Sequence, residues 1–313
     1  MTSRELTEML ALIPADFADP EADYRQVRAM LAPFHGHAVP AHIDVTEETV
    51  EGVRVGFYAD LRAPASDWVA FHCHGGGLVS CPLDQYHFYG AMLVEQLGMR
   101  VAMPDYRLAP EHPYPAAHDD CLAAYRGLLA RGVDPRRLVV LGDSCGGGLA
   151  LSTLLAARDA GLPLPACFVS ISGWFDLSVR EPCADGADPF LTAEWVRNRG
   201  FDYTGGAVAL DDPRVSPAFA DVRGLPPLYL PVAQFDTLRE GVLTLAASAL
   251  RAGVSVTLES WPGAVHGWQG FVGVGVPEAV AAFERTRQFI GWWAGDCGQE
   301  GGSSARAQAK IDG

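Results

Sequence analysis

The stretch Leu138-Val139-Val140-Leu141-Gly142-Asp143-Ser144-Cys145-Gly146-Gly147-Gly148 restricts the fold more than any other part of this chain. Its apolar opening reads as a strand covered on both faces, the pattern of a central parallel strand. Residues 145–160 continue as a helix of small and apolar side chains. Between the two lies G-x-S-x-G. Glycines at 142 and 146 permit a sharp turn and a close approach of neighbouring elements. Ser144 then falls at a helix N-terminus, where the dipole and free amides favour negative charge. A serine held in that way is suited to nucleophilic catalysis. A glycine-rich turn with an incidental serine is the competing reading, and the strand–helix context weighs against it. Cys145 reads as a buried, inert thiol, because the residue after such a serine turns its side chain inward and offers its backbone N–H. A phosphate cradle is disfavoured by the absence of G-x-x-x-x-G-K-[ST] and by the acidic Asp143.

Strand-like stretches at 53–59, 68–72, 100–104, 138–142, 166–172, 228–234 and 254–259 alternate with helix-like ones at 85–97, 116–131, 145–160, 238–252 and 277–293. This alternation predicts an α/β fold, a mostly parallel sheet with helices on both faces. With 313 residues, 49% of them hydrophobic, the chain can bury one large core. A single domain over residues 1–295 is therefore expected. Residues 1–40 look helical and amphipathic but precede the sheet. Residues 174–215 interrupt it with a Pro/Gly/Asp-rich stretch and a short helix at 192–201, as a lid over a site would. The Gly/Ser-rich residues 296–313 read as a disordered tail.

A formal net charge of −15 makes nucleic acid and anionic membranes poor partners and points to a small neutral or cationic substrate. The seven cysteines include no C-x-x-C pair, which argues against a zinc site or a disulfide framework and for a reducing compartment. No stretch reaches the roughly eighteen apolar residues of a membrane span, and the N-terminus lacks the basic start and apolar core of a signal peptide. A cytoplasmic location is expected.

A second glycine cluster, His72-Cys73-His74-Gly75-Gly76-Gly77, follows the strand at 68–72. Ester cleavage places negative charge on the carbonyl oxygen, which fixed backbone N–H groups stabilise. Gly75 and Gly76, with the N–H of Cys145, are the expected oxyanion donors. His72 and His74 form an H-x-H pair with no third ligand at clear spacing, so no metal is expected. Only His266 among nine histidines lies downstream of Ser144, which makes it the candidate base. Asp236, at the end of the strand at 228–234, is the candidate acid that orients it, with Glu240 as the fallback. An Asp236 N-cap on the following helix is compatible with that role. Because the base must be neutral, activity is expected to fade below about pH 6.

H-G-G-G at 74–77, Tyr106-Arg107-Leu108-Ala109-Pro110-Glu111, G-D-S-C-G-G at 142–147 and the blocks around Asp236 and His266 resemble the hormone-sensitive-lipase family of bacterial esterases, over roughly residues 60–295. The resemblance implies an α/β-hydrolase fold with an eight-stranded sheet, a helical cap formed by residues 1–40 and 174–215, no cofactor, and a serine carboxylesterase acting through an acyl-enzyme. The chain departs from the family pattern at Cys145 (usually alanine), Gly148 (usually asparagine) and Trp268 (usually phenylalanine). Trp268 is expected to narrow the pocket mouth. Cap aromatics (Phe17, Tyr24, Phe34, Phe190, Trp195, Phe201, Tyr203) suggest a compact apolar pocket, or equally a cap core; Trp195, Phe201 and Trp268 are the candidate substrate contacts. The expected substrates are short- or medium-acyl esters, or bulky aromatic ones. The same machinery would serve a lactonase, an amidase, a carbamate hydrolase or an acyltransferase. A non-catalytic ligand receptor, as among plant relatives that lose a triad member, fits less well, since Ser144, Asp236 and His266 are all present. A homodimer joined at a sheet edge is a further expectation.

Overall fold

The computed structural model describes residues 2–295 except 15, 16, 18, 64, 65 and 181–187. The expected tail, part of the 174–215 insertion and the Phe34 side chain therefore lie outside the described residues. Two helices, α1 (Arg4–Leu10) and α2 (Tyr24–His35), precede the sheet. The Asp23 carboxylate accepts the Arg25 and Gln26 amides and Gln26 returns a bond to the Asp23 amide, a reciprocal cap that starts α2.

The sheet opens with a hairpin that the sequence reading passed over. Strands β1 (Ile43–Val50) and β2 (Val53–Asp60) are joined by Glu51 and Gly52, both at positive φ (50° and 85°). Two-residue turns of that hand match the twist of antiparallel strands. β1 is an edge strand whose interior side chains are mostly exposed, so it carries too little apolar alternation to be recognised. Then follow β3 (Val69–Cys73), α3 (Leu83–Leu97), β4 (Arg100–Pro104), α4 (Ala116–Ala130), β5 (Leu138–Asp143), α5 (Cys145–Asp159), β6 (Cys167–Ile171), α6 (Ala193–Thr204), β7 (Leu228–Ala233), α7 (Arg239–Arg251), β8 (Val256–Trp261) and α8 (Pro277–Gly295). The eight strands run in the order β1-β2-β4-β3-β5-β6-β7-β8. The β1–β2 and β2–β4 pairs are antiparallel and the others parallel.

The alternation of β5 explains the apolar run in the sequence. Leu138 and Val140 face a core built with α4, α5 and α7, while Val139 and Leu141 face a second core built with α3 and α8. Each such side chain contributes about 1.5–3 kcal/mol when fully buried. β3 lies beside β5 with Cys73 opposite Gly142. The glycine loop that leaves β3 and the serine turn that leaves β5 therefore emerge side by side. α6 reaches over these strand ends. The Asn198 amide donates to the Pro20 carbonyl (2.9 Å) and the Arg199 guanidinium to the Ala22 carbonyl (2.8 Å), which joins α6 to the N-terminal segment. Among the described residues, no helix is long and apolar enough to cross a membrane.

Candidate active site

Ser144 has φ 51° and ψ −125°, a conformation that L-residues rarely adopt. Its neighbours hold it there: the Ser144 amide donates to the Ile171 carbonyl (2.9 Å) and the Trp174 amide to the Ser144 carbonyl (2.8 Å). The flanking glycines are a steric requirement. A Cβ at Gly142 would lie 2.2 Å from the Gly146 oxygen, and one at Gly146 would lie 2.1 Å from the Cys73 oxygen. The turn thus closes against the end of β3 only because both side chains are missing.

The serine hydroxyl lies 3.1 Å from Nε2 of His266, and Nδ1 of that ring lies 3.1 and 3.2 Å from the two carboxylate oxygens of Asp236. The structure therefore brings Ser144, His266 and Asp236 together from three separate strand ends. Asp236 follows β7, and its Oδ1 also accepts the Leu238 amide (2.8 Å) in a local turn; Leu238, not Asp236, is the N-cap of α7, which opens without a side-chain cap, so the expected capping role is not formed. Glu240, the fallback acid, instead pairs with Arg239 (3.0 Å). His266 follows β8 and its loop is held from the end of β6, two strands away. Ser172, after β6, accepts the Gly267 amide (3.0 Å) and donates to Gln269 (3.0 Å). Burial would pull the His266 imidazole down, but the charge and hydrogen bond of Asp236, with Asp188 and Asp143 further off, hold it above its ordinary value of 6.5. The arrangement provides a hydroxyl, an imidazole able to take its proton, and a carboxylate that stabilises the resulting cation.

The glycine loop requires one correction. The Gly75 amide does not face the serine; it donates to Oδ1 of Asp143 (2.9 Å). The same carboxylate accepts the Tyr86 hydroxyl (2.7 Å) and lies 2.9 Å from Nε2 of His72. Burial alone would raise the Asp143 carboxyl, and the His72 and Tyr86 contacts overcome that and hold it below its usual range. Gly75 is thus the anchor of the loop. Among the described residues, the amides of Gly76, Gly77 and Cys145 find no hydrogen-bond partner. Gly77 is not among the donors expected from the sequence. Gly76 and Gly77 have φ of 111° and 66°, conformations that favour glycine. The Cys145 thiol is buried and accepts the Leu78 amide (3.1 Å), and burial pushes it up to about 12, as an inert side chain requires. His72 is engaged with Asp143 and His74 stacks on Tyr106 at 4.1 Å, so both serve packing beneath the loop.

The family model for the alpha/beta hydrolase fold matches residues 70–270. A solved esterase from the bacterial hormone-sensitive lipase family superposes with a TM-score of 0.85 at 35% identity, covering 93% of this chain and 98% of that one. The chain belongs to this family. An acetyl-hydrolase from Streptomyces hygroscopicus is 38% identical over 232 residues, 70% of this chain and 74% of that protein. An ethyl acetate hydrolase from Pseudomonas putida is 36% identical over 205 residues, 62% and 64% of the two chains. Like these relatives, the hormone-sensitive-lipase family member described here is a carboxylic ester hydrolase.

Its departures from the family pattern read differently in three dimensions. Gly148 stands where a Cβ would lie 2.1 Å from the Trp174 oxygen, so a close backbone approach replaces the side chain usual there. Trp268 is 0% exposed, packed on Ala233, Ala264 and Ala282 and 5.9 Å from the Trp261 ring. It does not narrow the pocket mouth, because Gly267 at φ 67° turns the chain and sends the indole into the core behind the histidine. Phe201 is also not a pocket residue: it is 56% exposed, on the opposite face of α6 from Trp195, Val196, Arg199 and Tyr203. Trp195 alone of the three candidates reaches the site, its ring 3.2 Å from where a Gly77 Cβ would stand. Behind Cys145, and lined by neither Ser144 nor His266, lies a cavity of about 10 Å³, enough for about one water, walled by Leu78, Trp174, Leu177 and Tyr203 with the polar His118, Ser152 and Arg214.

Proposed function

We propose that this esterase hydrolyses short-acyl carboxylic esters through an acyl-enzyme on Ser144. His266 takes the Ser144 proton as the oxygen attacks the ester carbonyl, and the amides of Gly76, Gly77 and Cys145 receive the oxyanion. The imidazolium, held by Asp236, protonates the departing alcohol. A water then gives its proton to His266 as it attacks the acyl carbon; the bond to the Ser144 oxygen breaks, His266 returns the proton to that oxygen, and the carboxylic acid leaves. No cofactor takes part in these steps. The observation that carries the reading is the chain of contacts at 3.1 Å from Ser144 through His266 to Asp236, beside three amides with no partner among the described residues.

Short acyl groups are favoured by the names of the two relatives, an acetyl-hydrolase and an ethyl acetate hydrolase. The bulky aromatic alternative has less support, since Phe201 and Trp268 face elsewhere. In this proposal α1, α2 and α6 act as a cap on the catalytic domain. A cytoplasmic location and a homodimer belong to it too: the five described cysteines are free and buried, and Leu258 on the edge strand β8 is 44% exposed.

Ser144→Ala should lower turnover of p-nitrophenyl acetate by about 10⁴-fold or more and abolish labelling by a fluorophosphonate, with an unchanged fold. A variant that keeps its rate would end the triad reading. A series of p-nitrophenyl esters should peak between acetate and butyrate; a maximum at long chains would end the short-acyl reading.

A further inference from the structure

We propose that Asp188, in the insertion between β6 and β7, is a positioning residue for ester hydrolysis: its carboxylate grips the turn that carries Asp236 and adds to the negative field at His266. The proposal rests on the Ser144–His266–Asp236 reading. Oδ2 of Asp188 accepts the amide of Thr237 (2.9 Å), the residue directly after Asp236, while Oδ1 accepts the Phe190 amide (2.9 Å). The Thr237 hydroxyl returns a bond to the Leu191 carbonyl (2.8 Å). Thr237 is thus held at its backbone and at its side chain by residues 188–191. The peptide between Asp236 and Thr237 cannot rotate without breaking the bond to Asp188, and its orientation sets where the Asp236 carboxylate points.

The same short stretch touches the loop of the base. The Phe190 ring packs between Phe17 (5.4 Å, edge-on) and Phe271 (6.2 Å), and Phe271 belongs to the 3-10 turn Trp268–Val274 that follows His266. Residues 188–191 therefore brace both the acid turn and the base loop.

The charged groups facing Asp188 are Asp236, on the turn after β7, and His266, on the loop after β8. Burial first and the Asp236 charge second push the Asp188 carboxyl up to about 7, against the pull of His266 and of the Thr237 and Phe190 amides. The converse holds at the base, where Asp188 is one of the carboxylates that raise His266. An imidazolium formed during turnover therefore draws Asp188 toward its ionised form, and that ionised form stabilises the imidazolium. Asparagine keeps one acceptor oxygen for the Thr237 amide but loses the charge and the acceptor of the Phe190 amide, whereas alanine removes both acceptors; the pH profile therefore reads the charge and the alanine variant reads the grip on Thr237.

The experiment is the pH dependence of kcat and KM on p-nitrophenyl acetate, from about pH 5 to 9, for the full chain and its Asp188→Asn and Asp188→Ala variants. Asp188→Asn should move the acid limb of kcat/KM to lower pH by about half a unit and lower kcat about three- to tenfold, with KM changed less than about twofold. Asp188→Ala, which frees the Thr237 amide as well, should lower kcat by roughly 10- to 100-fold. A folded Asp188→Asn enzyme whose acid limb stays where it was would overturn the proposal, whatever happens to kcat. Should the alanine variant fail to fold, the near-isosteric asparagine variant still decides. Ser144→Ala keeps the two readings apart. If that variant is active, the triad reading fails; if it is dead and Asp188→Asn keeps the wild-type profile, only the role of Asp188 fails.

Discussion

Asp143 connects the serine turn to the oxyanion loop, and replacing it in two steps measures how much of the activity depends on that connection. Its carboxylate accepts two hydrogen bonds, from the Gly75 amide at Oδ1 (2.9 Å) and the Tyr86 hydroxyl at Oδ2 (2.7 Å), and Nε2 of His72 lies 2.9 Å from Oδ1. In Asp143→Asn the remaining oxygen can still serve Gly75, and the new amide can donate to Tyr86, whose hydroxyl rotates to accept. What is lost is the charge assistance. Hydrogen bonds to ionised groups contribute about 1.5–3 kcal/mol against about 0.5–1.5 for neutral ones, and relief of the buried charge offsets part of the difference. The expected loss of stability is about 1–3 kcal/mol, with kcat lowered less than about tenfold, because Gly76 and Gly77 stay in place. Asp143→Ala leaves two buried donors without an acceptor and removes the charge beside His72, and should destabilise by about 3–5 kcal/mol. It also releases Gly75, and a displaced oxyanion loop should lower kcat by about 10²–10³. The sign with pH follows from the lowered Asp143 carboxyl. Its contribution is fully present above the ordinary carboxylate value of 3.8 and is lost as pH falls through the folded value, so wild type and Asp143→Asn should differ at neutral pH and converge in acid. Denaturant melts at several pH values, together with kcat on p-nitrophenyl acetate, provide the assay. An Asp143→Ala enzyme that folds and turns over within threefold of wild type would refute the link between this carboxylate and the oxyanion donors.

The acid limb of kcat/KM should lie above pH 6.5, higher than the fading near pH 6 expected from the sequence, because Asp236 raises His266; a midpoint at or below 6 in a pH–rate profile would contradict this. Ser172→Ala removes the acceptor of the Gly267 amide beside the base and should lower stability by about 1–3 kcal/mol and kcat about tenfold with little change in KM, as thermal melts and steady-state rates will report. Trp268→Phe should leave KM for short esters unchanged, since the indole is buried behind the histidine and its Nε1 has no partner to lose; a severalfold shift in KM would return Trp268 to the pocket.

What the sequence reveals and what it hides divide along a physical line. The serine turn is legible because its requirements are local: an apolar run for a strand covered on both faces, glycines where the backbone folds on itself, and a helix beginning at once. His266 and Asp236 are nearly as legible, since chain order and strand ends restrict which side chains can meet the serine. β1 escapes notice because an edge strand is defined by its pairing with β2, and its mostly exposed side chains leave no apolar period. Phe201 was open to exclusion from the sequence alone, as it falls outside the spacing of Trp195, Val196, Arg199 and Tyr203 that buries one face of α6. Gly75 was not. Three consecutive glycines present equivalent amides, and which of them is tied back depends on a carboxylate 68 residues away, brought beside it by the pairing of Cys73 with Gly142. Asp188 is hidden for the same reason, its partner Thr237 lying 49 residues on. Chemistry set by the residues of one turn can be read from the chain. Donors and acceptors chosen by strand register become visible only when the strands are placed side by side.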